Sequence, residues 1–237
     1  MTELMIALRR SPRTLLERDG HPGPGPGRLA VVMARAGVGK TAFLVGIGVD
    51  ALLAGQKVLH VSVHSTVGKV RGWYDDLLAE MLRRERKLEH LALIQLEVER
   101  RRHILVYDRD SFTLDKLRNS VAFLKEASGF SPDMVIMDGT PRFDHSEAWE
   151  MEGVTALARD WQAEVWTSAT LHREGQQLDS RGVPLEVARF DEHLAVVLVL
   201  ATEAGRIRVR IAKDHDKAEV ANVPLELDAH TLMLRWS

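Results

Sequence analysis

The sequence predicts an α/β fold: a mostly parallel twisted sheet flanked by helices, with an antiparallel C-terminal extension. Three observations predict it. Short apolar, β-branched runs alternate with helical stretches between Arg28 and Ala169. The first run leads into the small-residue turn Ala34-Arg35-Ala36-Gly37-Val38-Gly39-Lys40-Thr41, which opens a helix. From Leu194 onward, strand patterns follow one another with only turn residues between them.

At 237 residues the chain suits one large domain with a small appendage. Residues 1–27 read as an N-terminal arm and Pro/Gly linker, and residues 28–237 as the α/β domain. The apolar fraction of 45% and charged fraction of 28% are those of an ordinary globular chain. A net charge of −2 gives no general attraction to nucleic acid or to an anionic membrane. The absence of cysteine excludes disulfides, thiolate metal sites and cysteine catalysis, and it fits a cytoplasmic protein. The longest apolar runs are too short to span a bilayer, and Met1 to Arg10 lacks the features of a signal peptide.

The elements follow in order. Leu4 to Arg18 carries a weak helical pattern broken at Ser11-Pro12, and Pro12 suits the start of a second short helix. This piece reads either as a helix covering the core or as an arm reaching a neighbouring subunit. The alternating Pro and Gly of His21 to Gly27 form a loop. Arg28 to Met33 is a buried strand, Thr41 to Leu53 a helix closed by Ala54-Gly55, and Lys57 to His64 a second strand. Thr66 to Arg102 is helical, with Val70, Tyr74, Leu77, Met81, Leu88, Leu91 and Val98 on its apolar face. The charged run Arg83 to Lys87 splits or bends it and is read as a solvated face. His103 to Tyr107 is a third strand. A helix from Leu114 to Ala127 is capped by Ser111 or Thr113. Met134 to Met137 is a fourth strand ending at Asp138, Ser146 to Gln162 a helix, and Ala163 to Ala169 a fifth strand. Leu194 to Ala201 and Arg206 to Ala212 pair around Glu203-Ala204-Gly205, and Leu225 to Leu227 with Leu232 to Leu234 forms a final pair.

Strand, small-residue turn, Gly39-Lys40-Thr41 and helix are the context a phosphate-binding P-loop requires. Backbone N–H groups of Ala34 to Ala42 cradle phosphate oxygens, helped by the positive end of the helix. Lys40 is expected to reach the β- and γ-phosphates, and the Thr41 hydroxyl to ligate Mg²⁺. The usual pattern begins with Gly, whereas this one begins with Ala34. Asp138, at the end of an apolar strand, is the second expected Mg²⁺ residue.

The run from Ala34 to Phe43, the strand Val58 to His64, the strand ending at Asp138, Thr167 to Arg173, and Arg181-Gly182 to Lys213 together resemble the RecA superfamily. They are closest to its DnaB-type helicase and KaiC/RadA-like branches. The resemblance covers about residues 28–235. It implies a RecA-like domain that binds ATP with Mg²⁺ at the subunit interfaces of a homo-oligomer.

Departures from that family shape the functional reading. Its water-activating glutamate is replaced in Ser62-Val63-His64. A neutral His64 imidazole is a different base at a different reach, so His64 reads either as that base or as a replacement that leaves hydrolysis slow. Thr170 stands where the family tends to place a γ-phosphate-sensing glutamine, with Arg173 downstream. In Lys213-Asp214-His215, Lys213 matches the first residue of a Lys-x-Arg pair that the resemblance places against a neighbour's γ-phosphate, and His215 replaces the arginine. Asp214-His215-Asp216 reads as an exposed turn, with a metal-holding cluster as the alternative.

Loops that would contact nucleic acid, Gly139 to His145 and Glu174 to Arg189, carry Arg142, Arg181 and Arg189 diluted by acids, with few aromatics. Nucleic acid is thus weakly supported as a partner. The sequence favours a nucleotide-dependent oligomeric switch that contacts a protein partner, with a DnaB-type DNA helicase or recombination ATPase as the alternative.

Overall fold

The computed structural model describes residues 5, 13, 16, 23–171, 176–217, 225–228, 231 and 233–236. Among these, nine strands form a single sheet. They are β1 (Leu29–Arg35), β2 (Val58–Ser62), β3 (Arg102–Val106), β4 (Met134–Asp138), β5 (Glu164–Leu171), β6 (Leu194–Glu203), β7 (Arg206–Asp214), β8 (Leu225–Leu227) and β9 (Leu234–Trp236). The principal helices are α1 (Lys40–Leu53), α2 (Val67–Arg84), α3 (Leu91–Arg101), α4 (Leu114–Ser128) and α5 (Ala148–Trp161).

The strand order is β3-β2-β4-β5-β1-β6-β7-β8-β9. The first six in that order run parallel, and β7, β8 and β9 continue antiparallel. This is the parallel core with antiparallel extension that the sequence predicts. β1 lies between β5 and β6, neither of which is its neighbour in sequence. Its carboxyl end therefore opens into the middle of the sheet's upper edge, where ligands of such sheets gather.

Side-chain alternation explains the layering. Ala30, Val32 and Ala34 of β1 face a core built with α1, α2 and α3, while Leu29, Val31 and Met33 face a core built with α4 and α5. Both faces of the central strands are covered, so they read as continuous apolar runs.

The stretch from Thr66 to Arg102 resolves into α2, a 3-10 turn at Leu88–His90 and α3. The charged run Arg83 to Lys87 is exposed at the break, and Arg86 takes a positive φ. Arg102 begins β3 rather than ending a helix. β2 stops at Ser62, two residues short of the expected end, because Val63 bends toward the end of β4 and its N–H meets the Asp138 carbonyl at 3.4 Å. The last strand lies two residues later than expected, since Asp228 N–H bonds the Met233 carbonyl and lengthens the turn.

The helical pattern of Leu4 to Arg18, His21-Pro22 and the segment from His172 to Gly175 fall largely outside the described residues. Met5, Arg13 and Leu16 are described and buried. Arg13 donates to Glu164 Oε2 at 2.7 Å and Oε1 at 3.1 Å and to Asp50 at 3.3 Å. These contacts hold Arg13 against the core of its own chain.

Candidate nucleotide site

The loop from Ala34 to Gly39 links β1 to α1. Ala34 belongs to β1 itself, paired with Thr170 on one side and Leu200 on the other, and is fully buried. Its Cβ points into the core, which is why alanine serves where the usual motif has glycine. The loop glycines do need their freedom. Gly37 has φ 80° and Gly39 φ 113°. A Cβ at Gly39 would also come within 3.2 Å of Leu227 Cδ2 on β8. Arg35, Ala36 and Gly37 are exposed and Val38 is partly buried. Gly39 is the N-cap of α1, and no acidic residue occupies its first turn, so the positive end of the helix faces the loop.

Lys40 lies back across this loop, its ammonium 3.2 Å from the Ala34 carbonyl oxygen. Burial draws it below the usual lysine range, partly offset by the nearby Asp138 carboxylate. The Thr41 hydroxyl donates to Asp138 Oδ2 at 2.7 Å. Asp138 Oδ1 accepts from the Ser168 hydroxyl at 3.1 Å, and Ser168 in turn accepts the Gly139 N–H at 3.1 Å. His64 Nε2 completes the group, 3.3 Å from Asp138 Oδ2. Its side chain is 32% exposed. Burial pushes Asp138 up, but the hydrogen bonds from His64 and Thr41 outweigh it and hold the carboxyl below its usual range. The bond to Asp138 raises His64 above the ordinary imidazole value against the opposing effect of burial.

These residues share a cleft of about 600 Å³ at the carboxyl ends of the parallel strands, lined also by Ala36, Ala42, Trp73, Arg109, Arg142, Phe143, Thr170, Gln176 and Glu186. The loop, Lys40, Thr41, Asp138 and His64 are thus brought together in one cleft. Backbone donors, a lysine, a hydroxyl and a charged carboxylate fit a nucleotide's phosphates and a divalent cation. Ser168 and Gly139 join the site without having been singled out in the sequence. Their signal is the Asp-Gly pair closing β4 and a hydroxyl on the adjoining strand. Arg173 lies outside the described residues.

Lys213 is not brought to its own chain's P-loop. It sits opposite Val197, toward the start of β6, whereas Ala34 faces Leu200 farther along that strand. Its ammonium bonds Asp191 Oδ2 at 2.8 Å and the Asp191 carbonyl at 2.7 Å. The segment after it is not an exposed turn. Asp214 and His215 are buried, and His215 contacts Asp214 at 2.7 Å and the Pro24 carbonyl at 3.2 Å. Among the described residues, no group of three or more His, Cys, Asp and Glu could hold a metal.

The arginines of the would-be nucleic-acid loops are committed within the chain. Arg142 pairs with Asp144, Arg181 with Asp179 and Asp191, and Arg189 donates to the Phe143 and Ser146 carbonyls. Phe143 and Phe190 are buried, which leaves Trp149, 67% exposed, as the open aromatic near them. No described helix is long and apolar enough to cross a membrane.

Strand order, P-loop and the aspartate at the end of β4 define a RecA-like P-loop fold. A solved structure described as an ATPase domain matches it with a TM-score of 0.63 at 14% sequence identity, over 88% of this chain and 84% of that one. No protein-family model and no curated protein matches the sequence.

Proposed function

We propose that this chain binds ATP with Mg²⁺ at the interfaces of a homo-oligomer and hydrolyses it weakly, so that nucleotide occupancy switches assembly or contact with a protein partner. One observation carries the reading. His64, which replaces the water-activating glutamate of the family the sequence resembles, has its Nε2 3.3 Å from Asp138 Oδ2, and that contact raises it above the ordinary imidazole value and favours the protonated ring. An imidazole held in this way is a poor acceptor for a proton from water.

The chain's own residues divide the work. Backbone N–H groups around Gly37 and Gly39, with the start of α1, bind phosphate oxygens. Lys40 exchanges its loop carbonyl for the β- and γ-phosphates. Thr41 and Asp138 hold the cation, which when bound offsets phosphate charge. Lys213 can serve only a neighbouring subunit's site, and leaving Asp191 is the cost of that contact.

Turnover by wild type, His64→Glu and His64→Ala tests the reading. We expect slow wild-type turnover and a rise with His64→Glu. A loss confined to His64→Ala would make His64 the base and sink the weak-hydrolysis account. A DNA translocase is the second reading, and the fold shared with a domain described as an ATPase is compatible with both. It requires stimulation of turnover by DNA of more than about tenfold, or ~1.4 kcal/mol of barrier.

A further inference from the structure

We propose that His64 is a direct ligand of the divalent cation at this site, and that the site therefore prefers a borderline cation such as Mn²⁺ or Co²⁺ to Mg²⁺. The inference rests on the nucleotide-site reading above and refines which metal accompanies the nucleotide.

Geometry is the first ground. Thr41 Oγ1 and His64 Nε2 converge on one oxygen, Asp138 Oδ2, at 2.7 and 3.3 Å. Neighbouring ligands on an octahedral ion with bonds of ~2.1–2.2 Å stand about 3.0 Å apart. The two observed separations bracket that edge length. Hydroxyl and imidazole thus each stand from the carboxylate oxygen at about the distance between neighbouring ligands of one ion.

The second ground is that the imidazole is seated. Gly139, with φ 86°, follows Asp138 directly, and a Cβ there would lie 2.6 Å from His64 Nδ1. The missing Cβ makes room for the ring and leaves its Nε2 edge toward the carboxylate. Meanwhile Oδ1 of Asp138 is occupied by Ser168, whose hydroxyl also takes the Gly139 N–H. Oδ2 is thus the oxygen presented toward both Thr41 and His64. Fixed outer partners of this kind orient metal ligands.

Donor chemistry then sets the metal. Mg²⁺ favours an all-oxygen shell and sheds water reluctantly, whereas imidazole nitrogen suits the later divalent ions. With one nitrogen and two oxygens from the protein, the remaining positions fall to phosphate oxygens and water.

Pulsed EPR of Mn²⁺ bound with a non-hydrolysable ATP analogue tests this directly on the full chain. A bound imidazole imprints ¹⁴N modulation on the Mn²⁺ signal. We expect that modulation in wild type and its loss in His64→Ala, where any contribution of the adenine nitrogens is unchanged. Gly139→Ala, whose Cβ would come 2.6 Å from His64 Nδ1, should weaken it as well. The ratio of Mg²⁺ to Mn²⁺ dissociation constants in the nucleotide complex should be at least about tenfold larger in wild type than in His64→Ala. Mn²⁺ and nucleotide bound together without the ¹⁴N modulation, at an unchanged ratio, would overturn the proposal and leave the nucleotide site standing. Absence of nucleotide binding, with and without metal, would remove both.

Discussion

The Thr41 hydroxyl donates to Asp138 Oδ2 across 2.7 Å, joining the first turn of α1 to the end of β4 over 97 residues of chain. This contact brings the phosphate loop and the cation carboxylate into one site. Asp138→Asn keeps an acceptor for Thr41 but removes the charge. Calorimetric titration with an ATP analogue should show the enhancement of affinity by divalent cation reduced at least about tenfold, ~1.4 kcal/mol. Binding without metal should change little. An unaltered metal enhancement would place the cation elsewhere.

Arg13 should matter to stability far more than a surface arginine. It is almost wholly buried and faces two buried carboxylates, Glu164 and Asp50. Burial pushes Glu164 above the usual carboxylate range, and the Arg13 contacts oppose that. Arg13→Ala would leave both acids without this partner, at a cost of about 3–5 kcal/mol in urea unfolding. Adding Glu164→Gln should recover part of the loss. A change below about 1 kcal/mol would contradict the burial of Arg13 against the two acids.

Two glycines of α1 give opposite expectations. A Cβ at Gly46 meets nothing within 4 Å, while one at Gly48 would come 2.5 Å from the Tyr74 hydroxyl and 2.8 Å from Ile136 Cδ1. Alanine gains up to about 1 kcal/mol in a helix interior. Gly46→Ala should therefore be neutral or stabilising. At Gly48 the overpacking cost of ~1–3 kcal/mol exceeds that gain, so Gly48→Ala should lower stability. Chemical denaturation of the two variants checks the ordering.

His60 gives a pH signature. It is fully buried beside Tyr74, with Nδ1 3.1 Å from the hydroxyl and Nε2 without a hydrogen-bond partner among the described residues. Burial lowers it to about 4, Asp138 opposing and Arg102 and His64 reinforcing the shift. Between about 4 and its ordinary value near 6.5, the unfolded chain takes up a proton that the folded chain refuses. This group's contribution therefore declines as pH falls through that window, by about 3 kcal/mol in all. His64, raised by its bond to Asp138, acts in the opposite direction: its contribution is complete below the ordinary imidazole value and is lost as pH rises through the shifted one. The measurement is the difference between wild type and His60→Leu, whose stability should fall less steeply between pH 6.5 and pH 4. Equal slopes would contradict the buried neutral imidazole.

The parallel core and the site were legible wherever chemistry is local. β1 and β4 are near-continuous apolar runs because both faces of the sheet are covered, and the Gly39-Lys40-Thr41 turn needs only its own neighbours to be recognised. Ala34 looked like a departure only because its place inside β1, with its Cβ in the core, is not visible in a motif. What stayed hidden depends on distant pairing. Arg13 meets a glutamate 151 residues away. His215, read as exposed, is buried because a carbonyl of the Pro/Gly loop, 191 residues off, accepts its contact. The ends of β2 and β3 were misplaced by one or two residues because strand limits are fixed by partners rather than by composition.

The most direct test of the central claim is the binding of a non-hydrolysable ATP analogue, with Mg²⁺, to wild type and to Lys40→Ala. Lys40 stands at the mouth of the cleft with its ammonium over its own loop carbonyl, and losing it should weaken binding more than about tenfold, ~1.4 kcal/mol. Saturable wild-type binding with that loss in the variant is the predicted result. No binding by wild type, or equal affinity in the two proteins, would contradict the account.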